Sequence, residues 1–319
     1  MRPGARRPPR PRFGSAVSAV IVSLVVSACA GTAEPAGEAG PGTAPDRSGY
    51  PVTVTADGTE ITLDRRPEKI VSLSPTSTEM LFAIGAGSQV VAVDDQSNYP
   101  PEAPTTELSG FEPNLEAIAG YEPDLVVTDD TGDIEEGLAA LGIPALAQPA
   151  AETLDDTYEQ IEQLGILTGN GEEAEGVIAD LRSEVAALVD AVPEFNEPPT
   201  YYHELDPTLF TATSETFIGH IYGLVGLRNI SDGAKGAGSG YPQLNAEYIV
   251  DRDPDLIFLA DTGCCDVTAA TVRQRPGWDA ISAVREGHVV ELDDDVASRW
   301  GPRVVEFLRT VVDAVTGLA

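Results

Sequence analysis

Glu172 to Val192 reads EEAEGVIADLRSEVAALVDAV, and this stretch decides the architecture. Ala174, Val177, Ile178, Leu181, Val185, Leu188, Val189 and Val192 recur on a period of 3.6 residues, the mark of a helix with one apolar face. Glu172, Glu173 and Glu175 crowd the first turn, where carboxylates meet the positive end of the helix dipole. Pro193 and the Pro198-Pro199 pair forbid its continuation. The pattern predicts one helix of about 20 residues, roughly 30 Å long. It lies near the middle of the folded part of the chain, as a connector between two halves.

A repeat on either side supports two halves. Asn114 to Asp130 is NLEAIAGYEPDLVVTDD, and Asn245 to Asp261 is NAEYIVDRDPDLIFLAD. At an offset of 131 residues they share seven of 17 positions. Each reads as a capped short helix, a proline turn and an apolar strand. Upstream, Val52 to Leu63 (VTVTADGTEITL) alternates around Asp57-Gly58, a hairpin signal. Ile70–Leu73 and Val90–Val93 are buried-type strands. Between them, Thr76 and Glu79 are spaced as a capping box for a helix that stops at Gly85. Strands alternating with helices give an α/β fold, with two α/β lobes, one long rigid bridging helix and a ligand cleft between the lobes. The expected divisions are an N-terminal lobe over 50–168, the connecting helix over 169–196 and a C-terminal lobe over 197–319.

The first 49 residues read as an address and a tether. Arg2, Arg6, Arg7, Arg10 and Arg12 precede an uncharged run from Phe13 to Ala28, too short for a membrane span of about 20 residues. Val26-Ser27-Ala28-Cys29 resembles a lipoprotein lipobox, so 1–28 is expected to be a signal peptide and Cys29 the lipidated residue. The alternative is an ordinary signal peptide with an incidental cysteine. Residues 30–49 hold almost no large apolar side chain and form a flexible linker. This layout places the body at the extracytoplasmic face of the membrane, held by lipid alone.

The 319 residues carry 19 Lys and Arg against 52 Asp and Glu, a net charge of −33. Removing residues 1–28 takes away five arginines and no acid, leaving 14 basic residues against the same 52 and a net charge of −38. Nucleic acid and bare anionic membrane are thereby excluded as partners. The acid excess reads as a solvated surface suited to high salt, or else as an acidic binding patch. There is no G-x-S-x-G elbow and no Walker A loop. Gly236, Gly238 and Gly240 form a glycine-rich loop without a helix opening behind it. His203, His220 and His288 form no i, i+4 pair, so they read as core or surface side chains, with a metal-dependent hydrolase as the alternative. Cys264 and Cys265 are adjacent, after the strand Leu256–Leu259. They read as a vicinal disulfide at the cleft edge, or as a free or soft-metal-binding thiol pair.

From Lys69 to Pro101, KIVSLSPTSTEMLFAIGAGSQVVAVDDQSNYPP resembles the opening of the periplasmic binding proteins for cobalamin and ferric siderophores. The likeness continues through NLEAIAGYEPDLVV, the central helix, YPQLNAEYIVDRDPDLIF and DDDVASRWGPRVVEFL, covering roughly 67–319. It implies two lobes on one rigid helix and a monomer that catalyses nothing. It also implies no resident cofactor and no metal site, the cargo being a corrinoid or ferric siderophore delivered to an ABC importer's permease dimer. The implied ligand residues are Phe111, Phe210, Tyr241, Asp295 and Arg299, with Trp300 beside them. Gln96 stands where the cobalamin branch has an aromatic. For the aromatics the competing role is core packing; for Asp295 and Arg299 it is a surface ion pair. Glu116 and Glu247, matched across the repeat, are the implied docking residues for the two permease subunits. So few basic residues favour a near-neutral ligand over an anionic ferric catecholate.

Overall fold

The computed structural model describes residues 49–129 and 133–319. The leader 1–28, Cys29, nearly all of the tether and Asp130 lie outside them. The chain opens with an antiparallel hairpin, β1 (Val52–Ala56) and β2 (Thr59–Leu63), turned at Asp57 and Gly58, both with positive φ.

The N-terminal half then runs β3 (Ile70–Ser72), α1 (Pro75–Ala83), β4 (Val90–Val93), α2 (Leu115–Ala119), β5 (Leu125–Thr128), α3 (Asp133–Ala140), β6 (Ala145–Ala147) and α4 (Leu154–Thr168). The central helix α5 spans Gly171–Asp190. The C-terminal half continues with β7 (Thr200–Glu204), α6 (Phe217–Leu224), β8 (Arg228–Asn229), α7 (Ala246–Arg252), β9 (Leu256–Leu259), α8 (Thr262–Cys265) and α9 (Ala269–Val272). It ends with α10 (Ser282–Glu286), β10 (Val289–Glu291), α11 (Asp294–Ser298) and α12 (Val304–Thr316).

Each half builds a four-stranded parallel sheet in the same order, β4-β3-β5-β6 and β8-β7-β9-β10. The repeat offset holds atom for atom at one contact. Asp124 Oδ2 accepts from the backbone N–H of Lys69 at 3.1 Å, and Asp255 Oδ2 accepts from that of Thr200 at 2.8 Å. In both copies the aspartate of Pro-Asp-Leu ties its strand to the start of the neighbouring one. Asn114 and Asn245 cap α2 and α7 through their side chains.

The central helix is not a free strut. Ala174 and Leu181 are buried, and Val177, Ile178, Val185, Leu188, Val189 and Val192 pack half-buried on the same apolar core. That core runs from the hairpin and β3–β6 through α4 and α5 to α6 and α12, so the two halves share it. Gly169, at φ +71°, turns α4 back into α5. The Arg66 guanidinium closes the turn on Thr168 O and Asn170 Oδ1.

The capping box expected of Thr76 and Glu79 is not formed. Pro75 occupies the first helical position and Ser74 the cap, with no side-chain cap bond. Starting the helix there carries Glu79 beyond its first turn, and Glu79 meets arginines of the other half instead.

Candidate functional site

The C-terminal strand ends of the first sheet form one wall of a cavity of about 240 Å³. This is where open α/β sheets place ligands. Leu73 and Ser74 follow β3, Asp94 follows β4 and Asp129 follows β5. Asp295, Ser298, Arg299 and Trp300 close it from the C-terminal half. Of the residues singled out in the sequence, Gln96, Phe111, Asp295, Arg299 and Trp300 meet here. A larger groove of about 570 Å³ between α4 and α5 is roofed by Arg182 over the Tyr158 ring and holds none of them.

Arg299 is 8% exposed and joins the halves. Its guanidinium donates to Glu79 Oε1 at 2.8 Å, Asn98 Oδ1 at 3.0 Å, Gln96 O at 3.1 Å and Asp295 Oδ1 at 2.7 Å. Asn98 Nδ2 returns a bond to Asp295 Oδ2 at 2.7 Å. Arg303 approaches Glu79 at 3.6 Å and stacks over Tyr99. Burial pushes the Glu79 carboxyl above its ordinary range, against the pull of Arg299 and Arg303. The buried tie between the halves is therefore Arg299–Glu79, while Asp295, on the same half as Arg299 and with its side chain 42% exposed, completes the pair from the rim. Trp300 is anchored too: its indole N–H donates to Gln160 Oε1 at 2.8 Å, and its carbonyl accepts from Thr157 Oγ1 at 2.9 Å.

The three other aromatics are not core. Phe111 is 87% exposed, Tyr241 47% and Phe210 38%. Phe210 and Tyr241 do not line the cavity. They ride on two segments of the second half that pair with each other, Phe210 opposite Gln243, with the Thr211 N–H donating to Pro242 O at 3.1 Å.

Asp94 was missed in the sequence, although it directly follows a predicted strand and the strand-end rule would have found it. Burial raises its carboxyl pKa, opposed chiefly by the Ser97 hydroxyl, which donates to it. Glu116 and Glu247 are exposed in the first turns of α2 and α7. Cys264 and Cys265 are bonded to each other and exposed, outside the cavity. The amides of Thr262, Gly263 and Cys264 all donate to the Asp294 carboxylate at the head of α11.

The histidines stand on separate elements. His203 is wholly buried on β7, its Nδ1 2.8 Å from the Tyr222 hydroxyl, and desolvation pulls its pKa down to about 3. Among the described residues no three His, Cys, Asp or Glu side chains gather as a metal site, and no helix is long and apolar enough to cross a membrane.

Two α/β lobes around a lined cleft, tied by a rigid core, are the build of a solute-binding protein. The chain matches the family model described as periplasmic binding protein over residues 70–296, and it belongs to that family. It is 34% identical over 316 residues to a cobalamin-binding protein of Halobacterium salinarum, covering 96% of this chain and 85% of that one. It is 28% identical over 277 residues to an ABC transporter substrate-binding lipoprotein of Bacillus subtilis, covering 83% and 86%. Among solved structures, one titled as an ABC-type Fe3+-hydroxamate transport system from Saccharomonospora viridis superposes with a TM-score of 0.66 at 26% identity, covering 83% of this chain and 99% of that one. The protein is a substrate-binding transport protein, not an enzyme, and the hydrolase reading of the histidines finds no support in its family.

Proposed function

We propose that this chain is the lipid-anchored substrate-binding component of an ABC importer, carrying cobalamin or a ferric hydroxamate and passing it to a permease dimer. The cavity shared by the two halves carries the reading, together with relatives whose names give those ligands. Gln96, Phe111, Asp295, Arg299 and Trp300 are assigned to the ligand face. Phe210 and Tyr241, exposed on paired segments, are assigned to its aromatic extension. Cys29 supplies the anchor in this reading, as in the relative named a lipoprotein. The segments 1–28, 29–49, 50–168, 169–196 and 197–319 serve as leader, tether, lobe, connector and lobe.

Calorimetry of the purified protein with cyanocobalamin and with a neutral ferric hydroxamate tests it. One ligand per chain is expected, and Tyr241→Ala is expected to weaken binding by about 1–3 kcal/mol, the range for a lost aromatic contact. No heat with either ligand refutes the reading. Glu116 and Glu247 are assigned to the permease contact. Glu116→Ala with Glu247→Ala should leave ligand affinity unchanged and abolish uptake; wild-type uptake would make both acids mere complements of their helix dipoles.

A further inference from the structure

Of two polar groups lining the cavity, the fold leaves one unpaired and the other only partly used. Ser74 is wholly buried, and its hydroxyl has no hydrogen-bond partner among the described residues. Asp94, 3% exposed, lines the same cavity. The two follow neighbouring strands, and the Asp94 N–H donates to Ser72 O at 2.9 Å, which fixes their register. Asp94 Oδ1 accepts from Ser97, while Oδ2 lies toward Gly110. A Cβ on Gly110 would stand 3.1 Å from that oxygen and 2.5 Å from the Leu73 carbonyl oxygen, so only glycine leaves this corner open.

A carboxylate offers about four acceptor sites, and the Ser97 hydroxyl and the Gln96 backbone supply two donors. No ion pair to Asp94 occurs among the described residues. Arg299, the guanidinium that lines the cavity among the described residues, already donates to four partners. Asp129 and Asp295 add two more carboxylates to the lining. An unused hydroxyl donor and an under-used carboxylate acceptor thus line one cavity, from the ends of adjacent strands, together with two further carboxylates.

We propose that Ser74 and Asp94 form a subsite for a primary carboxamide. The serine hydroxyl donates to the amide oxygen, and the Asp94 carboxylate accepts from the amide NH2. A carboxylate of the same shape has no proton to give and places its charge against Asp94, a like-charge contact that a built site rejects. The ligand class is then a metal complex rimmed with amides, not with acids. The inference rests on the reading above that this cavity holds the cargo.

The test uses two probes that share a ring. Dicyanocobinamide carries carboxamides on its rim, and dicyanocobyrinic acid carries carboxylates. The whole chain is acidic, so the comparison is made in about 1 M salt, where long-range repulsion is screened within about 3 Å. Wild-type protein should prefer the amide form by at least about tenfold. Asp94→Asn, or Asp94→Ser should the first variant fold poorly, should cut that ratio by about fivefold or more. Equal binding of the two probes, or a ratio unchanged in a folded Asp94 variant, overturns the subsite. Binding of a ferric hydroxamate with neither corrinoid also overturns it, while the cavity keeps its role. Binding of none of these probes refutes the reading of the cavity itself.

Discussion

The ends of β3–β5 and the ends of β7 and β9 are one place in two copies of a unit, and they handle their carboxylates differently. In the first half, Ser74 and Asp94 lie against a cavity with bonding capacity left over. In the second, Glu204 ends β7 and Asp261 follows β9, both wholly buried. Arg275 answers Glu204 with two bonds of 2.6 and 2.5 Å while lying over the Trp278 ring. Leu73 and Glu204 occupy the same place at the repeat offset, so the apolar strand end of one copy is a carboxylate in the other. The difference teaches that the same sheet end can open its polar groups onto a cavity in one copy and pair a carboxylate with a half-buried arginine in the other. The second half answers Glu204 from within through Arg275 and leaves Asp261 beside it unbonded among the described residues; the first turns Ser74 and Asp94 onto the cavity.

The largest way to break this contrast is to remove the internal answer. Arg275→Met should leave Glu204 buried and uncompensated beside Asp261, and losing one member of a buried pair costs about 3–5 kcal/mol. Urea unfolding should show that loss, with ligand affinity of the folded variant within about twofold of wild type. By contrast, Asp94→Asn should move stability by less than about 1 kcal/mol, because an amide still accepts the Ser97 hydrogen bond. Comparable losses in the two variants would erase the distinction between the halves.

What the sequence disclosed and what it hid follow the same line. Local pattern displayed the hairpin at Asp57-Gly58, the apolar strands and the 20-residue helix, because each depends on neighbours a few residues away. The 131-residue repeat exposed the two sheets because duplicated strands keep their capping Asp124 and Asp255. Family likeness pointed to Asp295 and Arg299, but not to the buried acid that Arg299 meets in the other half. Glu79 lies 220 residues from Arg299 in the chain, and its spacing from Thr76 imitated a capping box. The Arg275–Glu204 pair spans 71 residues and has no periodic signature. Polar groups satisfied across such distances become visible only once the sheets bring them together.

A smaller effect sharpens the contrast through pH. Asp261 has neither carboxylate oxygen hydrogen-bonded among the described residues, and burial together with the adjacent Glu204 pushes its pKa up to about 7. An unfolded aspartate has lost its proton above about pH 4. Between about pH 4 and 7 the folded state therefore binds the extra proton, and this group's contribution to stability falls as pH rises, the loss being complete above about 7. Asp261→Asn should remove that slope and exceed wild-type stability at pH 8 by about 1 kcal/mol. Melting temperatures followed from pH 5 to 8.5 check this. Parallel profiles for the two proteins would mean that Glu204 and Arg275 already satisfy Asp261.

The smallest expected effect concerns how far the halves can move. If the first half is completed by a guest, ligand binding should reorganise side chains at the cavity and leave the frame in place. The frame has reasons to resist. The apolar core passes continuously through α4 and α5 from one sheet to the other. The Arg299–Glu79, Asn98–Asp295 and Thr157–Trp300 bonds cross the same gap beside the cavity. Closing the cleft widely would expose part of that core and break a buried ion pair at several kcal/mol. Backbone shifts below about 1 Å are usual for pre-organised complexes, so small-angle scattering of free and cobalamin-loaded protein should nearly superimpose. A drop in radius of gyration of several ångström on loading would show that the ties yield and that the cleft works by hinge closure. Glu79→Gln then separates the two contributions: with the core intact, the free and loaded curves of this variant should still coincide.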